Sequence, residues 1–266
     1  MKPFLKWAGN KYQIIERIKD VLPVGKRLIE PFVGSGAVFL NTDYPDYLLA
    51  DTNHDLINLF VHLQSQGEDF VKYCSTFFTP KNNSSDVFYR FRSDFNSSED
   101  TRYRSALFIY LNKHCFNGLC RYNSKGEYNV PFGRYKRPYF PEKEMLYFAK
   151  KTMNAQFDVA DFSTTMGQAE PGDVVYCDPP YVPLSTTANF TSYSSGRFGT
   201  PEQEELAKQA EKLAARGITV VLSNHDTEFT RLAYASAKTL RFNVQRYISC
   251  NGEKRDKAPE VLAVFT

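Results

Sequence analysis

Apolar positions along the chain keep two rhythms, one helical and one strand-like, and the places where each stops outline the elements. In residues 11–22, Ile14, Ile15, Ile18, Val21 and Leu22 recur at helical spacing, and Pro23 ends the run. Residues 27–31 form a short strand, followed by Phe32-Val33-Gly34-Ser35-Gly36 and a short apolar helix. Tyr47-Leu48-Leu49-Ala50 is a second buried strand that ends at Asp51, and helix resumes over residues 55–63. From Gly67 to about Leu146 the alternation is lost. That stretch is polar and largely helical, with its clearest helix at 105–113 and a hairpin at 121–134 turning on Ser124-Lys125-Gly126. Alternation then returns with strands at 156–159 and 174–177, a helix at 201–216 and a strand at 219–222. Residues 243–248 and 260–265 flank a polar loop around Asn251-Gly252 and predict an antiparallel pair.

An interrupted strand–helix alternation of this kind predicts an α/β fold: a doubly wound, Rossmann-like sheet with a C-terminal antiparallel hairpin and an inserted, mainly helical domain. The expected boundaries are 1–55 with 146–266 for the sheet domain and 56–145 for the insertion, with the hairpin at about 119–136. Sheets of this type bind ligands beyond the carboxyl ends of their strands, which sends Gly34–Gly36, Asp51 and Asp178 to one edge.

With 266 residues, 42% hydrophobic and 24% charged, the chain has the make-up of a folded globular protein. No run of 18 apolar residues occurs, and MKPFLKWAGNKY lacks the apolar core of a signal peptide. Five cysteines form no CxxC pair and no zinc spacing, so free thiols in a reducing cytoplasm and no metal site are expected. A net charge of +3 excludes little, but its distribution is informative. Between Arg102 and Arg137 lie eight Lys or Arg, one acid (Glu127) and eight Phe or Tyr. Phosphate neutralisation with base stacking requires such a mixture, although a solvated basic surface over packed tyrosines would show it too.

Candidate chemistry centres on Asp178-Pro179-Pro180-Tyr181, which follows the apolar run Val174-Val175-Tyr176-Cys177. Two prolines donate no N–H and fix φ, freeing a carbonyl to face a ligand. An ionised Asp178 only accepts hydrogen bonds, so carboxylate and carbonyl together can hold both N–H bonds of an amine while Tyr181 stacks on its ring. A strand merely stopped by two prolines fits the tetrapeptide equally well. Gly34-Ser35-Gly36 allows a tight turn and close ligand approach, but has neither the third glycine of a dinucleotide fingerprint nor a following GKS or GKT. Asp51 can bind both hydroxyls of a ribose, or serve a helix cap near Asn53. The three features in order on one chain imply a nucleoside cofactor without pyrophosphate, which means S-adenosyl-L-methionine.

Phe4-Leu5-Lys6-Trp7-Ala8-Gly9-Asn10-Lys11, Glu30-Pro31-Phe32-Val33-Gly34-Ser35-Gly36, Leu49-Ala50-Asp51 and Asp178-Pro179-Pro180-Tyr181 resemble the ordered motifs of Dam-family DNA adenine-N6 methyltransferases of the alpha arrangement. Asn117-Gly118-Leu119-Cys120-Arg121-Tyr122-Asn123 and Val130-Pro131-Phe132-Gly133-Arg134-Tyr135 are similar to that family's recognition segment. The likeness runs over nearly the whole chain; Asn10 departs from it, where the family commonly has a second glycine.

The resemblance implies transfer of a methyl group from S-adenosyl-L-methionine to N6 of an adenine flipped from double-stranded DNA, in GATC. Trp7, Ala8, Lys11, Phe32, Gly34, Gly36, Asp51, Asp161, Phe162 and Asp178 would hold the cofactor. Asp178, Pro179, Pro180 and Tyr181 would form the catalytic corner. Lys6, Phe116, Asn117, Leu119, Arg121, Asn123, Pro131, Arg134 and Lys136 would meet DNA. Within that set Phe116 is a candidate wedge, Arg121 a guanine reader, Leu119 and Pro131 thymine-methyl contacts, and Arg134 and Lys136 phosphate clamps. A cytoplasmic monomer, bacterial or phage-encoded, is expected.

Rival readings are an RNA adenine methyltransferase and a non-catalytic DNA-binding protein on the same scaffold. No Pro-Cys dipeptide occurs, so Cys177 reads as a strand residue. The Ser/Thr-rich stretch 184–199 is a candidate cover for the flipped base. In Ser223-Asn224-His225-Asp226, His225 is a tempting base, yet helix capping by Asn224 or Asp226 explains the tetrapeptide as well.

Overall fold

The computed structural model describes residues 1–183, 198–245 and 257–266. Among them seven strands form one sheet: β1 (Arg27–Glu30), β2 (Asp46–Asp51), β3 (Ala155–Val159), β4 (Asp173–Cys177), β5 (Thr219–His225), β6 (Lys238–Gln245) and β7 (Lys257–Phe265). Their order is β3-β2-β1-β4-β5-β7-β6. β4 pairs in parallel with both β1 and β5, whereas β7 runs antiparallel between β5 and β6. Every residue of β4 is buried, as a parallel strand covered on both faces requires. The helices are α1 (Ile15–Val21), α2 (His54–Ser75), α3 (Ser85–Ser97), α4 (Thr101–His114), α5 (Glu142–Lys151), α6 (Phe162–Gly167), α7 (Thr200–Ala214) and α8 (Glu228–Ala233).

The α/β class and the antiparallel C-terminal pair are as expected, with different strand limits. β6 begins at Lys238, because an edge strand with an exposed side carries polar residues such as Lys238 and Arg241 that mask it in sequence. β5 reaches His225, three residues beyond its apolar run. Ile248, the Asn251-Gly252 loop and nearly all of the stretch 184–199 lie outside the described residues.

Contacts divide the chain into two compact units. The first comprises Met1–Gln13, Val33–Asp43 and Leu49–Val159; the second comprises Ile14–Phe32, Tyr44–Leu48 and Ala160–Thr266. In the first unit Phe4, Phe39, Phe60 and Phe148 are buried against one another, with ring centroids 5.2 Å apart for Phe4–Phe148 and 4.6 Å for Phe60–Phe148. Asn53, Ser84 and Asp100 cap α2, α3 and α4 with their side-chain oxygens. Helix α3 escaped the periodicity reading, since its buried stripe is only Phe88, Phe91 and Phe95 among polar neighbours. In the second unit Leu206, Ala210 and Leu213 of α7 pack with Val175, Val220, Leu222, Val261 and Ala263 of the sheet.

Beyond α4, residues 116–141 contain no regular strand. The hairpin expected at 121–134 reduces to a turn closed by one bridge, Tyr122↔Tyr128, with a second bridge at Cys115↔Phe132. Two main-chain bonds flank the first bridge, Asn123 N–H to Glu127 O at 2.9 Å and Asn129 N–H to Arg121 O at 3.1 Å. Local capping adds to them: the Asn123 side-chain oxygen accepts from the N–H groups of Lys125 (2.9 Å) and Glu127 (3.0 Å).

Candidate active site and nucleic-acid interface

In the first unit, the loop after β1 meets the end of β2. Gly34 has φ 47°, and a Cβ there would lie 2.9 Å from Trp7 Nε1, so the indole packs directly on its backbone. The Gly34 N–H donates to Asp51 Oδ2 at 3.2 Å, and the Asn53 N–H donates to Asp51 Oδ1 at 2.9 Å. Burial pushes the Asp51 carboxyl up, while backbone N–H groups of Asn53, Gly34 and Thr52 pull it down. The cap of α2 is Asn53 rather than Asp51, because its side chain accepts from Leu56 N at 3.1 Å. Lys11 is buried and its Nζ donates to Gly9 O at 2.6 Å. Asn10, the departure from the family pattern, is used: its Nδ2 donates to Ser35 Oγ at 3.1 Å and ties the two loops together. Ala8 is exposed, and the Gly36 N–H donates to Val33 O at 2.8 Å, closing the turn. A half-buried carboxylate near an indole suits a nucleoside, since it can accept from two hydroxyls while the ring faces a base.

In the second unit, the Asp178–Tyr181 corner is held from behind by the carboxyl end of β5 and by α7. Ser223 Oγ lies 3.1 Å from Asp178 Oδ1, and Gln203 Nε2 donates to Pro180 O at 2.6 Å. Asn224 Oδ1 accepts from Val182 N at 3.0 Å and from His225 N at 2.9 Å, while its Nδ2 donates to Gln203 Oε1 and Tyr234 Oη, each at 3.0 Å. Pro179 is buried and Pro180 exposed. The Tyr181 ring stands edge-on to His225, with centroids 4.7 Å apart. Burial, followed by the Asp178 charge, pushes the Tyr181 phenol well up. The same two causes raise the Cys177 thiol, so it stays protonated and is no nucleophile.

Neither capping assignment in the 223–226 run survives, because Thr227 caps α8 through Thr230 N at 3.2 Å. His225 Nδ1 lies 2.6 Å from Val182 O, an acceptor, so that nitrogen carries the hydrogen and the ring is committed to the turn. Gln203, Ser223 and Asn224 were missed as supports of the corner. The one available signal was a polar run ending an apolar strand. Phe32 and Phe162 stack with centroids 5.8 Å apart, and Phe198 is edge-on to both at 5.5 and 5.6 Å. Asp161 is exposed and caps α6 by accepting from Thr164 N at 2.7 Å.

The expected DNA-contacting residues all fall in the first unit. Asn112, buried on α4, accepts from Lys6 N at 2.9 Å and donates to Lys6 O at 2.8 Å and Gly118 O at 3.3 Å. It thereby joins the N-terminal segment to the turn after α4, a role sequence reading missed. A Cβ on Gly118 would strike the Lys6 side chain, so only glycine fits there. Lys6 is exposed, with Nζ 4.3 Å from the Tyr135 ring centroid. Phe116 is half exposed, at 51%. Its N–H donates to Pro131 O at 2.8 Å, and Asn117 N donates to the Tyr135 hydroxyl at 3.1 Å. The Leu119 carbonyl accepts from the Tyr128 hydroxyl at 2.9 Å. Arg121 is exposed and donates through Nε to Asn129 Oδ1 at 2.7 Å, while Asn123 donates through Nδ2 to Glu127 Oε2 at 2.8 Å. Arg134 and Lys136 are exposed. Beneath this surface, burial and the neighbouring lysines push Lys113 down to about 8, and burial holds His114 at about 4.

Among the described residues no cluster of three or more His, Cys, Asp or Glu is placed to hold a metal ion, and no helix is long and apolar enough to cross a membrane. Residues 7–248 match the family described as D12 class N6 adenine-specific DNA methyltransferase. Three curated relatives carry the name DNA adenine methylase. That of Escherichia coli (strain K12) is 50% identical over 264 residues, covering 99% of this chain and 95% of its own. The Serratia marcescens protein is 51% identical over 265 residues, 99% of this chain and 98% of its own. The Vibrio cholerae serotype O1 (strain El Tor Inaba N16961) protein is 50% identical over 266 residues, 100% of this chain and 96% of its own. With its motifs in the order the family requires, the chain belongs to the D12 class of N6 adenine-specific DNA methyltransferases.

Proposed function

We propose that the chain moves a methyl group from S-adenosylmethionine to N6 of an adenine turned out of double-stranded DNA, within GATC, and works as a monomer in the cytoplasm. The observation that carries this reading is the Asp178–Tyr181 corner: an acidic turn at the end of a buried strand, braced by Ser223, Gln203 and Asn224. Asp178 and the Pro179 carbonyl accept the two N6 hydrogens, which localises the amine's lone pair, and Tyr181 fixes the plane of the base.

Trp7, Ala8, Lys11, Phe32, Gly34, Gly36, Asp51, Asp161, Phe162 and Asp178 are the cofactor-binding residues in this reading. Asp51 beside the Trp7 indole fits its ribose and base. S-adenosylmethionine, when bound, supplies a methyl group already activated by its sulfonium charge, so the protein's task is alignment. Residues 56–145 form the target-recognition insertion. Within it Arg121 pairs with guanine after exchanging Asn129 for the base edge, Leu119 and Pro131 touch thymine methyls, and Phe116 fills the gap in the stack with Asn117 beside it. Lys6 and Asn123 contact base edges, and Arg134 and Lys136 grip phosphates. Relatives named DNA adenine methylase support DNA over RNA as the substrate.

The test is incubation with labelled S-adenosylmethionine and duplexes that differ at one base pair, then digestion to nucleosides. N6-methyladenosine in the deoxy series from GATC duplexes alone is expected. Label in an RNA strand, or equal label in all duplexes, overturns the substrate assignment.

A further inference from the structure

The corner is braced at three points, and only one brace touches a side chain expected to face the substrate. Gln203 and Asn224 hold the main chain of Pro180 and Val182. Ser223, 1% exposed near the end of β5, instead reaches Asp178 Oδ1 at 3.1 Å. Its Oγ also lies 3.1 Å from the hydroxyl of Tyr176 and 3.4 Å from Cys177 O. A serine has one hydrogen to give and two lone pairs to offer. The carboxylate is the stronger acceptor, so that hydrogen goes to Asp178, and Tyr176, buried on β4, donates its own hydrogen to Ser223. In the order Tyr176 O–H to Ser223 O–H to Asp178 Oδ1, each of the two hydroxyl hydrogens has an acceptor. Burial keeps the Tyr176 phenol protonated and able to donate. The register explains the placement: Cys177 pairs with Leu222, so the next residues, Asp178 just past β4 and Ser223 still within β5, lie side by side.

We propose that Ser223 is a positioning residue for methyl transfer, orienting the Asp178 carboxylate through a hydroxyl that Tyr176 orders in turn. This rests on the reading that Asp178 grips the target amine. A hydrogen bond from a neutral donor favours the ionised carboxylate and fixes its plane, and a carboxylate free to rotate spends less time aligned with the amine.

The test compares Ser223→Ala, Ser223→Thr and Asp178→Ala with the parent enzyme in single-turnover methyl transfer to a GATC duplex, alongside KM for both substrates and thermal unfolding. Loss of a hydrogen bond to a charged group predicts a fall of about tenfold to about a hundredfold in rate for Ser223→Ala, with KM unchanged. Ser223→Thr keeps the hydroxyl and should recover most of that loss. If the alanine variant does not fold, Ser223→Cys, which keeps the volume with a weak donor, should show the same fall. Parental turnover in Ser223→Ala, or in Ser223→Cys where that variant stands in, with Asp178→Ala inactive, overturns the role of Ser223 and leaves the function intact. A raised KM at unchanged rate also overturns it. Near-parental turnover by Asp178→Ala instead overturns the reading beneath it.

Discussion

Two regions of the molecule are held by different means. At the Asp178–Tyr181 corner, strands β4 and β5 run in parallel register, and buried side chains at the end of β5 hold the turn from behind. Across residues 116–137 there is no such frame. Isolated bridges close the turns, and side chains reach into the backbone: Arg92 Nη1 donates to Val130 O at 3.0 Å, Asn96 Nδ2 to Tyr128 O at 3.1 Å, and Asn83 Nδ2 to Tyr135 O at 2.9 Å. Among the described residues, the two non-glycine positions with positive φ, Asn117 at 54° and Arg134 at 53°, both fall in this segment, and none falls in the corner. The methyl transfer proposed for the corner demands one fixed geometry, so a sheet edge suits it. In the proposed reading residues 116–137 read bases, which requires several exposed side chains in unusual directions, and turns with left-handed backbone supply them.

The comparison breaks most visibly at Asp178. Asp178→Ala should lower methyl transfer by about a thousandfold with unfolding temperature little changed, the scale of loss when a preorganised polar group is removed from a reacting centre. Near-parental turnover would mean that the corner is only a strand stop.

Next comes a difference in pH response. His114 sits at about 4 against an ordinary 6.5, because burial disfavours its charged form. Between those values the unfolded chain binds a proton that the folded chain refuses. Stability from this group is therefore complete above pH 6.5 and drains as pH falls toward 4, by roughly 3 kcal/mol. Denaturant titrations at pH 7 and pH 4.5 should show the drop, and His114→Phe should flatten it. An identical slope in the variant would assign the acid sensitivity elsewhere.

Arg121 offers a smaller and more specific handle. Arg121→Ala should reduce the preference for GATC over duplexes altered at the guanine by about 1–3 kcal/mol, read as a ratio of kcat/KM values. An unchanged ratio would return Arg121 to its bond with Asn129 as a purely local strut. The weakest effect separates strain from contact at Arg134. Arg134→Gly should raise stability by about 1 kcal/mol by relieving the left-handed backbone, while lowering the salt slope of DNA binding by about one unit. Loss of stability would show that the arginine side chain outweighs the strain.

Much of the proposed catalytic region was legible along the chain. The apolar runs at Val174–Cys177 and Leu48–Ala50 become buried strands, and Asp51 and Asp178 stand at their ends as the alternation implied. The proposed recognition segment was legible in composition but less so in shape. Its alternation over 121–134 yields only a short hairpin, one bridge with two main-chain rungs, whose turn Asn123 closes with its own side chain. Helix α3 hid behind three phenylalanines, and β6 behind the charges of an edge strand.

From residue order alone follow the fold class, the ordered motifs and the acidic turn, because periodicity, proline and glycine act over a few neighbours. The supports of that turn do not follow from it. Ser223 lies 45 positions from Asp178 and Gln203 lies 23 from Pro180. Asn112 meets Lys6 across 106. Nothing local marks such partners, since a buried polar side chain finds its hydrogen bond wherever packing brings one, and only folding sets which groups arrive together.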